Sequence, residues 1–210
     1  SVIPVDQFPE EIRWNAATLW MGPNCHLVHY PLSGSKVFNI VITKVNDATE
    51  VVAGKPLTHA EVHANFDHVH ELPQKLIEIG LDWKVWVLCD RAPTENWIDG
   101  RAVLLGDAAH PTLQYYAQGA CMALEDAVCL SEILGNGPDN LDAALTKYRD
   151  TRLVRTARIQ IGSRQLGDNW FHVDGVHRKL RNEIMGNMSA DDYCDQLGWL
   201  YGHKASDIGA

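Results

Sequence analysis

Arg101 to Asp126, R-A-V-L-L-G-D-A-A-H-P-T-L-Q-Y-Y-A-Q-G-A-C-M-A-L-E-D, is the stretch from which the fold is read. Ala102 to Leu105 is a short apolar run and predicts a buried strand. It stops at Gly106-Asp107, where glycine admits close approach to the backbone and a carboxylate is left at the strand's end. His110-Pro111 lies in the irregular polar segment that follows. Gly119 then opens a helical pattern whose apolar members include Met122, Leu124, Val128 and Ile133. Strand, acidic loop and glycine-opened helix can make a ligand cradle. Asp107 would accept hydrogen bonds from sugar-like hydroxyls, and the free amides near Gly119 and Ala120 would hold an electron-rich group at the positive helix end. The same elements occur in α/β domains that bind nothing there, so spacing alone leaves both readings open.

Upstream of this stretch, Asp99-Gly100 is a turn signal and Arg91-Ala92-Pro93 breaks a strand-like alternation over Asp82 to Cys89. Residues 47–80 read as helix with loops, and Thr58-His59-Ala60-Glu61 is a capping box. His59 and His63 could share a helix face, but Ala60 stands where the metalloprotease pattern needs glutamate, and His68 and His70 diverge. A solvated helical face is preferred to a metal site there, and no metal is expected. Before them come three strand-like runs, Ala17 to Met21, His26 to Pro31 and Val37 to Lys44, the last two joined by Ser33-Gly34-Ser35 as an antiparallel hairpin. In the second run His26, Val28 and Tyr30 point to one face, either as core residues with satisfied polar tips or as ligands. Pro9 to Arg13 suggests a short helical turn.

Downstream, Gly135-Asn136-Gly137-Pro138 should end the first long helix. Asp139 is the expected cap of the next, with Asp142 in its first turn and Leu141, Leu145 and Tyr148 on its buried side. Arg149, Arg152, Arg155 and Arg158 recur every third residue. They read as late-helix charges complementing the dipole in preference to a nucleic-acid stripe. Trp170-Phe171 and Trp199-Leu200-Tyr201-Gly202 should dock onto the body or onto a second subunit, which leaves a homodimer open.

Composition sets outer limits. With 46% hydrophobic residues in 210, the chain can bury a sizeable core. A net charge of -9 argues against nucleic acid or an anionic membrane as main partner. Cys25, Cys89, Cys121, Cys129 and Cys194 are scattered and lack C-x-x-C spacing, which fits a reducing cytoplasm, the expected location. Neither a membrane-span-length apolar run nor a secretory segment is seen, and Ser1-Val2-Ile3-Pro4 reads like the middle of a longer protein.

The Arg101–Asp126 string resembles the second flavin-binding motif of the class A aromatic hydroxylases, which use FAD and NADH or NADPH. The resemblance implies that Gly106-Asp107 binds the ribityl chain of FAD and that Pro111 lies beside flavin and substrate. It also implies that Gln118, Gly119 and Ala120 place amides against the flavin pyrimidine ring. Cys121 departs from the Asn that many relatives carry, which puts a side-chain flavin contact in doubt but not the backbone amides. His26 to Pro31 is similar to the flavin-facing strand of the 3-hydroxybenzoate 6-hydroxylase branch, which implies that His26, Tyr30 and Gln114 contact the phenol. His26 would accept or relay the phenolic proton, on an ordinary imidazole pKa of about 6.5. Tyr30 and Gln114 would orient the substrate.

The implied fold class is α+β: a substrate-binding mixed β-sheet plus the C-terminal strand and helices of an FAD-binding, p-hydroxybenzoate-hydroxylase-like fold. The N-terminal Rossmann βαβ unit with its G-x-G-x-x-G turn is missing, since Gly135-Asn136-Gly137 follows a helix and lacks the third glycine. The expected segments are a substrate-binding sheet over 1–97, the end of the FAD-binding domain over 98–160 and a helical segment over 161–210. The implied activity of the intact enzyme is conversion of 3-hydroxybenzoate to gentisate with FAD, NADH and O2. This chain alone is expected to bind FAD poorly and to be inactive, its partner being the missing half of the same enzyme. Two other readings stay open: a catechol-forming salicylate 1-hydroxylase, and a non-catalytic module.

Overall fold

A computed structural model describes residues 1–135 and 137–205. The chain divides into two compact units: Ser1–Val87 with Asp168–Lys179, and Leu88–Gly167 with the described residues from Leu180 on. This division by packing falls at other places than the three segments expected from sequence.

The first unit is built on a four-stranded sheet of β1 (Val2–Pro4), β2 (Thr18–Gly22), β3 (Cys25–Leu32) and β4 (Val37–Lys44), in the order β1-β4-β3-β2. All of its ladders are antiparallel, which corrects the expected mixed sheet. The reason is local: β2, β3 and β4 are joined by tight turns, whereas a parallel pair needs a long crossover. The Ser33-Gly34-Ser35 hairpin forms as expected, its three residues at φ of 53°, 66° and 63°. Strand alternation puts Cys25, Leu27 and His29 into the core with Phe38 and Ile40, and Phe8 stacks on Phe38 with ring centroids 4.0 Å apart. His26, Val28 and Tyr30 take the opposite face.

The sheet's core face is covered by two helices. Thr58 caps α1 (His59–Phe66) through the predicted capping box with Glu61, and α2 (Glu71–Ile79) follows. Val62, Phe66, Leu76 and Ile77 are their buried contributions. The strand expected over Asp82 to Cys89 is reduced to β6 (Lys84–Val85), paired with β5 (Lys55–Pro56). Its alternation survives, with Trp83 buried and Lys84, Trp86 and Leu88 exposed. Pro56 stands at a non-hydrogen-bonded position of this ladder, and just beyond it the Leu57 N–H donates to the Trp83 carbonyl at 2.9 Å.

The second unit opens with a hairpin of β7 (Ile98–Asp99) and β8 (Ala102–Val103) around Gly100. The buried strand expected over Ala102 to Leu105 is thereby corrected: Ala102 and Leu105 are exposed. Among the described residues β8 pairs with β7 alone, so its other edge has no strand partner. The helices are α3 (Gly119–Leu134), α4 (Leu141–Leu166), α5 (Gly175–Gly186, which begins in the first unit) and α6 (Ala190–Tyr201). Gly135 ends α3 at φ 45° as expected, while Asn136 lies outside the described residues. Asn140, not Asp139, caps α4: its Oδ1 accepts from the Ala143 N–H at 3.0 Å, a reach that Asp139 lacks by one residue. Leu145 and Tyr148 are buried on α4 as expected. No helix among the described residues is long and apolar enough to cross a membrane.

Candidate functional site

The Gly106–Pro111 segment is held from behind by α3. Gly106 sits at φ 60°, and a Cβ there would lie 3.2 Å from the Ala123 Cβ, so only glycine fits without displacement. Its N–H donates to Asp126 Oδ2 at 2.9 Å, and its carbonyl accepts from the amides of Ala109 and His110, both at 2.9 Å. Asp126 is the knot of this arrangement. It takes His110 Nε2 at 2.6 Å and Arg152 Nε at 2.7 Å, all three side chains being almost fully removed from solvent. Burial works to raise the Asp126 pKa, but His110, Arg152 and the Gly106 amide outweigh it and hold the carboxyl below its usual range. The His110 contact therefore has Nε2–H donating to a carboxylate.

Arg152 also reaches Glu125 at 2.7 Å, and Arg155 holds Glu125 through two further bonds of 2.7 Å. Arg158 lies over the Trp199 ring, 3.7 Å from its centroid. Arg152 and Arg155 are thus internal anchors, whereas Arg149 pairs with the exposed Asp150 at 2.7 Å and Arg158 is itself exposed. The dipole reading is corrected, because α4 runs on to Leu166 and these residues are mid-helix.

On the outer side of the loop lies the candidate cradle. The Asp107 carboxylate is exposed and has no hydrogen-bond or ion-pair partner among the described residues. It stands next to the start of α3: a Cβ on Gly119 would lie 3.8 Å from Asp107 Oδ1 and 3.8 Å from the Thr112 methyl. The first α3 bond runs from Met122 N to the Gln118 carbonyl, so the amides of Gly119, Ala120 and Cys121 have no partner within the helix. Gln118 is buried, and Ala117 before it takes a left-handed turn at φ 53°. Pro111 is fixed through its carbonyl, which accepts from Gln160 Nε2 at 3.0 Å. Gly106, Asp107, Pro111, Gln118, Gly119, Ala120 and Cys121 all belong to this one unit.

This arrangement fits a polyol joined to a polar ring. An unpaired acceptor, Asp107, and a set of unpaired donors lie side by side without satisfying each other. Sugar-like hydroxyls suit the first, and an electron-rich ring edge suits the second. The Cys121 side chain is exposed, and its N–H keeps its place in the donor set.

The first unit carries the other expected residues. His26 and Tyr30 share one face of β3, as expected. Tyr30 takes a hydrogen bond at its hydroxyl from Asn39 Nδ2, 2.8 Å away on β4. His26 is 3% exposed, and its Nδ1 lies 2.8 Å from Nε2 of His172. Burial, and secondarily His172, push its pKa down to about 4, so the ordinary imidazole value expected from sequence is corrected. Gln114 belongs to the second unit, in the 3-10 turn Gln114–Tyr116. The histidines His59, His63, His68 and His70 form no metal-holding group, and none of three or more His, Cys, Asp or Glu occurs among the described residues.

Sequence reading missed His172, Gln160 and the Glu125-Asp126 role. Asp126 closed the quoted motif and Arg152 belonged to the arginine series, so both were visible as letters. His172 has no sequence signal at all, being 146 residues from its partner.

Residues 9–159 match the family described as FAD binding domain. The chain is 52% identical over 204 residues to 3-hydroxybenzoate 6-hydroxylase 1 of Aquipseudomonas alcaligenes, covering 97% of this chain and 52% of that protein. It is 42% identical to the 3-hydroxybenzoate 6-hydroxylase of Polaromonas naphthalenivorans, covering 96% of this chain and 50% of the relative. The chain spans about half the length of these curated relatives. Among solved structures, a salicylate hydroxylase substrate complex superposes with a TM-score of 0.76 at 23% identity, over 98% of this chain and 53% of the other. Klebsiella pneumoniae HpxO complexed with FAD and uric acid gives 0.72 at 23% identity, over 86% and 46%.

Proposed function

The chain belongs to the FAD binding domain family, and from that premise we propose that it is the part of a flavin monooxygenase that holds the flavin ring and the phenolic substrate. The activity proposed for the whole protein is conversion of 3-hydroxybenzoate to gentisate, with FAD, NADH and O2. The observation that carries this reading is the unpaired Asp107 carboxylate beside the unpaired amides that begin at Gly119. Relatives of this family at 52% and 42% identity act, by their names, on 3-hydroxybenzoate.

Each residue then has a task. Asp107 accepts from the ribityl hydroxyls, and the Gly106 turn keeps it at the surface. The amides of Gly119, Ala120 and Cys121, at the positive end of α3, hold the electron-rich pyrimidine edge and stabilise negative charge there. Pro111 and Gln118 border the ring. FAD, when bound and reduced, supplies the oxidising chemistry with O2. His26 takes the phenolic proton, and Tyr30 and Gln114 orient the substrate by hydrogen bonding. Removing that proton makes the ring more electron-rich and so easier to hydroxylate. The chain alone holds part of these contacts and is proposed to be inactive.

The test is a chimera in which this chain replaces the segment it aligns with in the Aquipseudomonas alcaligenes enzyme. Stoichiometric FAD and gentisate from 3-hydroxybenzoate are expected. Catechol from salicylate would reassign the substrate, and a folded chimera without FAD would overturn the flavin reading.

A further inference from the structure

We propose that His26 and His172 form a two-histidine proton relay, in which His172 carries onward the proton that His26 takes from the phenol. This rests on the hydroxylase reading above. The two rings lie 5.1 Å apart between centroids at 20°, with His26 Nδ1 and His172 Nε2 at 2.8 Å and both residues buried. The approach is built into the fold: the Asn24 N–H donates to the His172 carbonyl at 3.0 Å, tying the 168–179 segment to the start of β3. Phe171 meets the His26 ring edge-on at 5.4 Å.

In the relay tautomer His26 Nδ1–H donates to His172 Nε2, and His26 Nε2 has the lone pair. The phenolic O–H bond breaks as the His26 Nε2–H bond forms. At the other side of the ring the Nδ1–H bond breaks as the His172 Nε2–H bond forms. His26 ends neutral, with its hydrogen moved from one nitrogen to the other. The products are a phenolate and a His172 imidazolium, so charge and protons balance.

A single buried histidine would serve poorly here, because His26 resists holding a positive charge, its pKa standing at about 4. His172 is also lowered by burial, but the Asp168 carboxylate acts in the opposite direction and favours its charged form. The charge is thereby moved towards the Asp168 carboxylate. The cross-strand neighbours of His26, Met21 and Thr43, are uncharged, as is Phe171. Further along the segment, Asp174 and Arg178 pair with each other at 3.5 Å.

The experiment uses the full-length, FAD-loaded protein with 3-hydroxybenzoate as probe, reading the pH at which the bound phenol ionises from its phenolate absorption. His172→Gln keeps an amide oxygen to accept from His26 Nδ1 but cannot pass a proton. It should raise that pH by about one unit, roughly tenfold less phenolate at a fixed pH, with the affinity for 3-hydroxybenzoate little changed. His26→Gln should shift it at least as far. A shift in His26→Gln with none in His172→Gln overturns the relay and leaves the hydroxylase reading standing. No shift in either overturns the proton role of His26 and the relay with it. Should the Gln variant not fold, ring-nitrogen NMR of the unmodified protein decides: His26 protonated at Nδ1 supports the relay, and protonation at Nε2 alone overturns it.

Discussion

Asp126 Oδ1 accepts from Arg152 Nε at 2.7 Å, and the aspartate is wholly removed from solvent. The pair joins α3 to α4 and, through Asp126 Oδ2, fixes the Gly106 turn and His110 in front of it. Asp126→Ala would leave a buried guanidinium without one of its two carboxylates and the Gly106 amide without an acceptor. Loss of a buried ion-pair partner costs about 3–5 kcal/mol. Chemical denaturation should show a loss of that size for Asp126→Ala, and a variant as stable as the parent would mean that Glu125 alone suffices for Arg152.

Buried histidines of the first unit and the carboxyls of this pair set an acid response with two windows. His26 has a folded pKa of about 4, depressed below its unfolded value of about 6.5, so the unfolded chain binds more protons between those values. Stability is full above about pH 6.5 and falls as pH drops towards 4, at about 1.4 kcal/mol per pH unit. His29 and His172, lowered chiefly by burial, act in the same direction. Below about pH 4 the depressed carboxyls of Asp126 and Glu125 take over, since their stabilisation is present above the unfolded carboxyl pKa and lost as they protonate. Denaturant midpoints measured from pH 8 to pH 3 should fall in both windows, and His26→Gln should flatten the first.

How much of this could be read in the letters depended on range. The Thr58 cap, the hairpin at Ser33–Ser35 and the Gly119 helix start are local, and each formed where the residues placed it. The place of β1 beside β4 and the single strand partner of β8 depend on which strands find one another, which alternation does not encode. The closeness of Asp107 to Gly119 was legible because Gly106, Asp107 and Gly119 fall within one short stretch. Its rear support was not, because Arg152 and Gln160 come from another helix. The His26 pKa was misjudged for a related reason: His172 and the burial that lower it are both long-range consequences of folding.

Gly162 of α4 and Gly167, the residue just after that helix, give a prediction of opposite sign from helix propensity. A Cβ on Gly162 would lie 2.8 Å from the Tyr116 ring, and one on Gly167, at the helix end, 2.9 Å from the Tyr115 ring. Glycine to alanine in a helix normally gains up to about 1 kcal/mol. Here the overlap, at about 1–3 kcal/mol for overpacking, should win. Gly162→Ala and Gly167→Ala should lower the melting temperature. Gly198→Ala, where nothing lies within 4 Å, should raise it. A stabilised Gly162→Ala would show that Tyr116 moves aside at no cost.

Asp107 should separate binding from stability. Its carboxylate is exposed and unpartnered among the described residues, so removing it breaks no contact of the fold. It stands against the Gly119 helix start, where the free amides favour a negative charge by at most about 1 kcal/mol at an exposed site, so deleting it costs the fold little. What Asp107→Ala takes away is an ionised acceptor for ligand hydroxyls, and such hydrogen bonds are stronger than neutral ones. In the full-length protein, FAD affinity read by quenching of flavin fluorescence should fall by about 10–100-fold, while the melting temperature of the flavin-free form stays unchanged. Asp107→Asn, which keeps one acceptor oxygen without the charge, should fall between the two. Unchanged affinity in Asp107→Ala would remove the ribityl role and with it the main support for the flavin site.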